Sequence, residues 1–178
     1  MSVANDPKAG QVHTALATWL YLLADAGHPP RDGALAAAIQ ALRSATAGRA
    51  DPLGQALVDA VRAALGTEPV LAAVTAWLTA LYGAEHVTTD LGADREARVH
   101  AARRHQFSSN LPWLARVYDR FPDGTVGPHW LLVERVDERV VCLDPYPWDE
   151  LDEEYAQPLI EFLVKWELAG CEGLRFQP

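Results

Sequence analysis

The chain is expected to fold as an α+β protein: an Ala-rich helical N-terminal half packed on a small antiparallel sheet with a C-terminal helix. Three observations predict this. Of 30 alanines, 27 lie at or before Ala102, and alanine has the best helix propensity. Apolar residues recur at helical spacing through the first 83 positions and alternate or cluster as β-branched runs after Pro112. Helices first and a hairpin later is the order of an α+β rather than an alternating α/β chain.

The first helix follows from Val12, Leu16, Trp19, Leu20 and Leu23, spaced i, i+4, i+7, i+8, i+11, with Gly27 before Pro29-Pro30 as its stop. A second is expected from Ala34 to Thr46, turning Leu35, Ile39 and Leu42 inward. The third has Asp51 to cap free N–H groups, Pro52 at the first helical position, and the stripe Leu53, Leu57, Val61, Leu65 before Gly66. Thr67-Glu68-Pro69 repeats the cap-and-proline start for a fourth, carrying Val70, Leu71, Val74, Trp77, Leu78 and Leu81 to Gly83. From Gly92 to Gln106 the segment is polar and reads as an exposed helix.

Leu114 to Tyr118 is expected as a strand and Pro122-Asp-Gly124 as a turn. His129 to Val136 and Arg139 to Leu143 form a hairpin about Asp137-Glu138, ended by Asp144-Pro145. Pro158 then opens a helix with Leu159, Phe162, Leu163 and Trp166 on one face, and Leu174-Arg-Phe176 reads as an added edge strand. The 178 residues are taken as one domain, with a helical part over about 10–106 and a sheet-plus-helix part over about 112–178.

Charge is as uneven as composition. Residues 1–128 hold 12 acids and 11 bases, whereas residues 129–178 hold 12 acids and 4 bases, so almost all of the net charge of −9 is C-terminal. That balance argues against a nucleic-acid binder, because attraction to phosphate needs positive surface. No basic-then-apolar leader and no apolar run of membrane-spanning length occurs, so a cytoplasmic protein without membrane contact is expected. Cys142 and Cys171 are too few for a disulfide framework or a four-ligand zinc site. His100 and His105, five apart on a helix, diverge rather than converge, so neither a metal nor another cofactor is expected.

Two groups of residues carry the functional expectations. On the hairpin, His129, Leu131 and Val133 share a face with Val140, Cys142 and Asp144 in the registers that a tight turn allows. A carboxylate at Asp144 could accept the His129 N–H and fix its tautomer. The plain alternative is a half-buried strand-end histidine and an Asp-Pro turn former. Beyond the hairpin, Asp144-Pro-Tyr-Pro-Trp-Asp-Glu-Leu-Asp-Glu-Glu-Tyr155 is dense in acids and aromatics, as partner-binding surfaces are. Trp130, Tyr146, Trp148, Asp149, Asp152, Glu153 and Glu154 are the residues expected to bind. The alternative here is a solvated connection whose rings cover the sheet end.

The stretch Gly127-Pro-His-Trp-Leu-Leu-Val-Glu-Arg-Val-Asp-Glu-Arg-Val-Val-Cys-Leu-Asp-Pro145 resembles the His-aromatic-Val-Val…Val-x-Asp-Pro stretch of papain-like cysteine peptidases of the bacteriocin-leader-processing, C39-like group. The resemblance implies His129 as base and Asp144 as orienting acid. Where that family has Cys-Gly at the start of an early helix, this chain has Asp32-Gly33, and the preceding oxyanion-hole glutamine is missing from Ala24–His28. A carboxylate cannot replace the attacking thiolate. Cys142 shares the His129 face but sits mid-strand, where cysteines act as small hydrophobes.

The expectation is therefore a non-catalytic regulatory or adaptor module, a degenerate papain-like fold if the resemblance holds, that binds a protein or peptide with a basic surface. The alternatives are a papain-like hydrolase or acyl-transfer enzyme using His129 and Asp144 with an unidentified nucleophile, and, less favoured, a small-molecule-binding helical protein.

Overall fold

The computed structural model describes residues 11–45, 52–89, 94–103, 111–120, 124–143 and 154–178. The elements are α1 (Gln11–Asp25), α2 (Gly33–Ser44), α3 (Pro52–Leu65), α4 (Leu71–Tyr82), β1 (Val87–Thr88), α5 (Arg95–Arg103), β2 (Trp113–Arg120), β3 (Val126–Val136), β4 (Arg139–Leu143), β5 (Glu154–Pro158), α6 (Leu159–Leu168) and β6 (Gly173–Phe176). The six strands form one sheet in the order β1-β6-β2-β3-β4-β5, antiparallel at every pairing. The α+β expectation stands.

The period-2 alternation of side chains gives the sheet two apolar faces and hence two cores. Leu114, Leu132, Leu143, Leu174 and Phe176 point to one side and pack with α1–α4. Trp113, Ala115, Val117, Leu131, Val133 and Cys142 point to the other and pack with Phe162, Leu163 and Trp166 of α6. Helix α5 joins that second side through buried Val99 and Ala101, so it is not an extension of the N-terminal helical layer and not simply exposed.

The helix ends follow their local chemistry. Asp32 caps α2, its Oδ1 accepting from the Leu35 N–H at 2.9 Å. Replacing Asp32 by alanine is expected to cost about 1 kcal/mol of stability in urea unfolding. At the end of α6 the Cys171 N–H reaches the Trp166 carbonyl at 2.9 Å and the Gly170 N–H the Glu167 carbonyl at 3.0 Å. This is a Schellman closure with Gly170 at φ 88. A Cβ at Gly170 would meet nothing within 4 Å, so Gly170→Ala should lose only the backbone strain, about 1–2 kcal/mol in the same assay.

Several sequence-based boundaries shift. α4 begins at Leu71 with Val70 as an N-cap that makes no side-chain bond, because Gly66, at φ 77, ends α3 and residues 67–70 are used to turn the chain. Pro158 does not open α6: it sits at ψ 140 as the last residue of β5, and the Leu159 N–H still bonds the Glu138 carbonyl at 3.3 Å, prolonging the β4–β5 ladder. β6 is not an edge strand, since β1 covers it. Strands β1 and β5 have no sequence signature of their own; partner strands create them. The proposed Asp51 cap and the Pro122-Asp123 part of the turn lie outside the described residues, while Gly124 adopts the left-handed φ of 84.

Among the described residues no helix is long and apolar enough to cross a membrane.

Candidate functional site

The β2–β3 pair builds the site. Its register sets Val117 opposite His129, Arg116 opposite Trp130, Tyr118 opposite Pro128 and Arg120 opposite Val126. Alternation then sends His129 to the α6 side and Trp130, Pro128 and Val126 to the α1–α4 side.

On the α6 side His129 is buried to 4% exposure, in the row of buried Val117. Beyond the turn, β3 and β4 pair Val136 with Val140 and Arg135 with Val141. A bulge at Glu134 then restores Val133 opposite Cys142 and Leu132 opposite Leu143. His129, Leu131 and Val133 thus share a face with Val140 and Cys142, as the sequence indicates; Asp144 lies outside the described residues. Cys142 stands in the Val133 row, four residues or about 13 Å along the strand from His129. Its Sγ lies 3.5 Å from the Nε2 of buried Gln157, which donates to it.

The two positions that the peptidase resemblance would join are kept apart. Asp32 caps α2, whose buried Leu35, Ile39 and Leu42 belong to the core on one face of the sheet. His129 faces the other. Asp32, where the resemblance would place a cysteine, is the cap of α2 and accepts from the Leu35 N–H.

Cys171 is equally structural. It is 1% exposed and follows the glycine of the α6 closure, packing in the core that holds Trp166. Burial, with Glu167 nearby, pushes its thiol above the ordinary range, against the opposing pull of Arg95 and Arg98. Neither cysteine is in a disulfide. A disulfide reagent should label neither at neutral pH until the chain opens; fast stoichiometric labelling of the native protein would contradict their burial.

On the opposite face the sheet runs past its helical cover. α1 lies over the end of β2–β3 that carries Leu114 and Leu132, and there the Trp19 Nε1 donates to the Pro112 carbonyl at 2.8 Å. Trp130 packs partly against that core. Beyond it Tyr118 is 39% exposed, Val126 51%, and Pro128 is exposed between them. The result is an aromatic–proline–aliphatic surface on a rigid two-stranded support. Arg116 flanks it, held by Glu172 at 2.8 Å, and Arg120 stands exposed at its end.

Of the residues expected to bind a partner, Trp130 belongs to this surface. Tyr146, Trp148, Asp149, Asp152 and Glu153 lie outside the described residues. Glu154 begins β5 opposite Leu143, which itself pairs with Leu132, two residues along β3 from Trp130. Tyr118, Pro128 and Val126 are site residues that the sequence reading missed. The signal was present as the alternation Val126, Pro128, Trp130 opposite Arg116, Tyr118, Arg120, but nothing in it says where the helical layer ends.

A cleft of about 580 Å³ lies between α5 and α6, lined by Arg95, Glu96, Val99, His100 and Glu167. The Arg95–Glu167 ion pair at 3.3 Å bridges its two walls. Among the described residues no three His, Cys, Asp or Glu side chains gather as metal ligands would; His105 is outside them. Comparison with known protein families, with curated proteins and with solved structures finds no match for this chain.

Proposed function

We infer that the protein is a non-catalytic, cytoplasmic binding module that docks a protein or peptide partner on the exposed end of the β2–β3 pair. The observation that carries this reading is the surface of Tyr118, Val126, Pro128 and Trp130, which continues a core face beyond the helices that would cover it. Rigid aromatic rings on a strand pair lose little entropy on binding and bury much area, which is how interface hot spots work. Residues 129–178 carry 12 acids against 4 bases, so the partner is one with a basic surface. Burial of His129, and the sheet that lies between it and Asp32, support binding over hydrolysis. If the hairpin resemblance reflects a degenerate papain-like fold, its nucleophile did not stand at Asp32, which the sheet separates from His129.

The test is capture of partners from the native organism by the wild-type chain and by a Tyr118→Asp/Val126→Asp variant whose melting curve matches it. The partner should be lost from the variant, and wild-type capture should fall as salt shortens the Debye length from about 10 Å toward about 3 Å. Equal capture by both chains would refute the assignment.

A further inference from the structure

Helix α6 is apolar almost all round, and only one of its faces is used. Leu159, Phe162, Leu163 and Trp166 turn toward the sheet core. The remaining apolar residues, Ile160, Val164 and Leu168, lie one helical turn apart on the outside, 63%, 51% and 66% exposed. A helix with apolar residues on opposite faces is ordinarily covered on both. Among the described residues nothing covers it: α5 lies to one flank, tied by Arg95 to Glu167, and leaves the stripe open.

The stripe has the spacing of an i±4 ridge, the commonest helix-packing element, and it is symmetric about Val164. Turned by a two-fold axis through Val164, a second copy places Ile160 against the other chain's Leu168, and Val164 against its own equivalent. The charges agree with that operator. Glu161 and Lys165 occupy the same flank of α6, 3.0 Å apart. Antiparallel packing brings like flanks together with their order reversed, so Glu161 of each chain meets Lys165 of the other. Lys165 is already positioned there by Asp119 at 3.3 Å. A parallel two-fold would instead bring opposite flanks of α6 together and leave this Glu161–Lys165 pairing unmade.

The geometry points to a second copy of this chain as the occupant of the stripe, giving an antiparallel two-fold dimer through α6. Three side chains cover less than the about 800 Å² per partner of a standard stable interface, so the dimer is reversible and concentration-dependent. It lies on the face of the sheet opposite to Tyr118 and Trp130, leaving that surface free and duplicating it.

Sedimentation velocity of the full chain tests this, run from low micromolar to about 1 mM, the range in which a weak dimer fills. Wild type should shift from monomer to dimer across the range. Val164→Glu, which sets two carboxylates on the axis without touching the core, should remain monomeric with an unchanged circular dichroism melt. Position is checked by cysteine pairing: Val164→Cys should cross-link to itself, and Ile160→Cys mixed with Leu168→Cys should cross-link to each other. A wild type that stays monomeric at the highest concentration overturns the proposal. So does a Val164→Glu chain that associates as wild type does, or a dimer that forms no disulfide through Val164→Cys.

Discussion

Trp166→Ala is expected to destabilise the protein by about 3–5 kcal/mol, the usual cost of deleting a buried tryptophan or phenylalanine side chain. Trp166 is fully buried, its ring 5.5 Å from that of Trp113 in an edge arrangement and 5.9 Å from that of Phe162 in a stacked one. Trp113 and Phe162 complete the group at 6.1 Å. These three side chains fill the space between α6 and the sheet. The Trp166 Nε1 also donates to the Glu172 carbonyl at 3.0 Å, which fixes the passage from α6 into β6. Against a total stability of about 5–15 kcal/mol, such a loss leaves the chain near its unfolding threshold at 37 °C. Urea unfolding followed by circular dichroism measures it, and a change below about 1 kcal/mol would mean that α6 does not pack as described.

The second large effect is expected on the other side of the sheet. Trp19→Ala should cost about 3–5 kcal/mol, since the side chain is 1% exposed within the helical core. Its Nε1 bond to the Pro112 carbonyl links α1 to the approach to β2, 93 residues away in sequence. Trp19→Phe keeps most of the apolar bulk and removes that donor, so it should lose about 1 kcal/mol or somewhat more. Because the sheet separates the two cores, Trp19→Phe and Phe162→Leu should add to within about 0.5 kcal/mol. Strong coupling between them would contradict the separation into two layers of side chains.

How much of this could be read from the chain depends on whether the signal is local. α1, α2 and α3 are legible because Leu16, Leu20 and Leu23, or Leu57 and Val61, repeat at helical spacing and then meet Gly27 or Gly66. The β3–β4 hairpin is legible because Val133, Val140 and Cys142 flank a polar turn, and its register is recovered despite the bulge at Glu134. β5 is not legible: Glu154-Tyr-Ala-Gln-Pro158 has little strand propensity and becomes a strand because β4 offers it a ladder. The same holds for Val87-Thr88, which pairs with Phe176 and Arg175 from the far end of the chain.

The site was legible only in part for a related reason. Trp130 stands out by type, and the alternation around it predicts which neighbours share its face. Whether that face is covered depends on where α1 ends over the sheet, which no local pattern encodes. Tyr118 and Val126 therefore read as ordinary strand residues until the layers are in place. Conversely, His129 reads as chemistry because His and Asp-Pro at hairpin ends suggest a pair, while the burial that surrounds it is a property of the packed fold.

Site-specific photo-cross-linking tests the central claim most directly. A photoreactive phenylalanine analogue is placed at Tyr118 or Val126, with Val70, 67% exposed on the helical layer, as the reference position. In cells of the native organism, the positions on β2 and β3 should yield the same discrete cross-linked partner, and Val70 should not. Cross-linking at Tyr118 and Val126 no greater than at Val70 would contradict the assignment of this surface as the docking site.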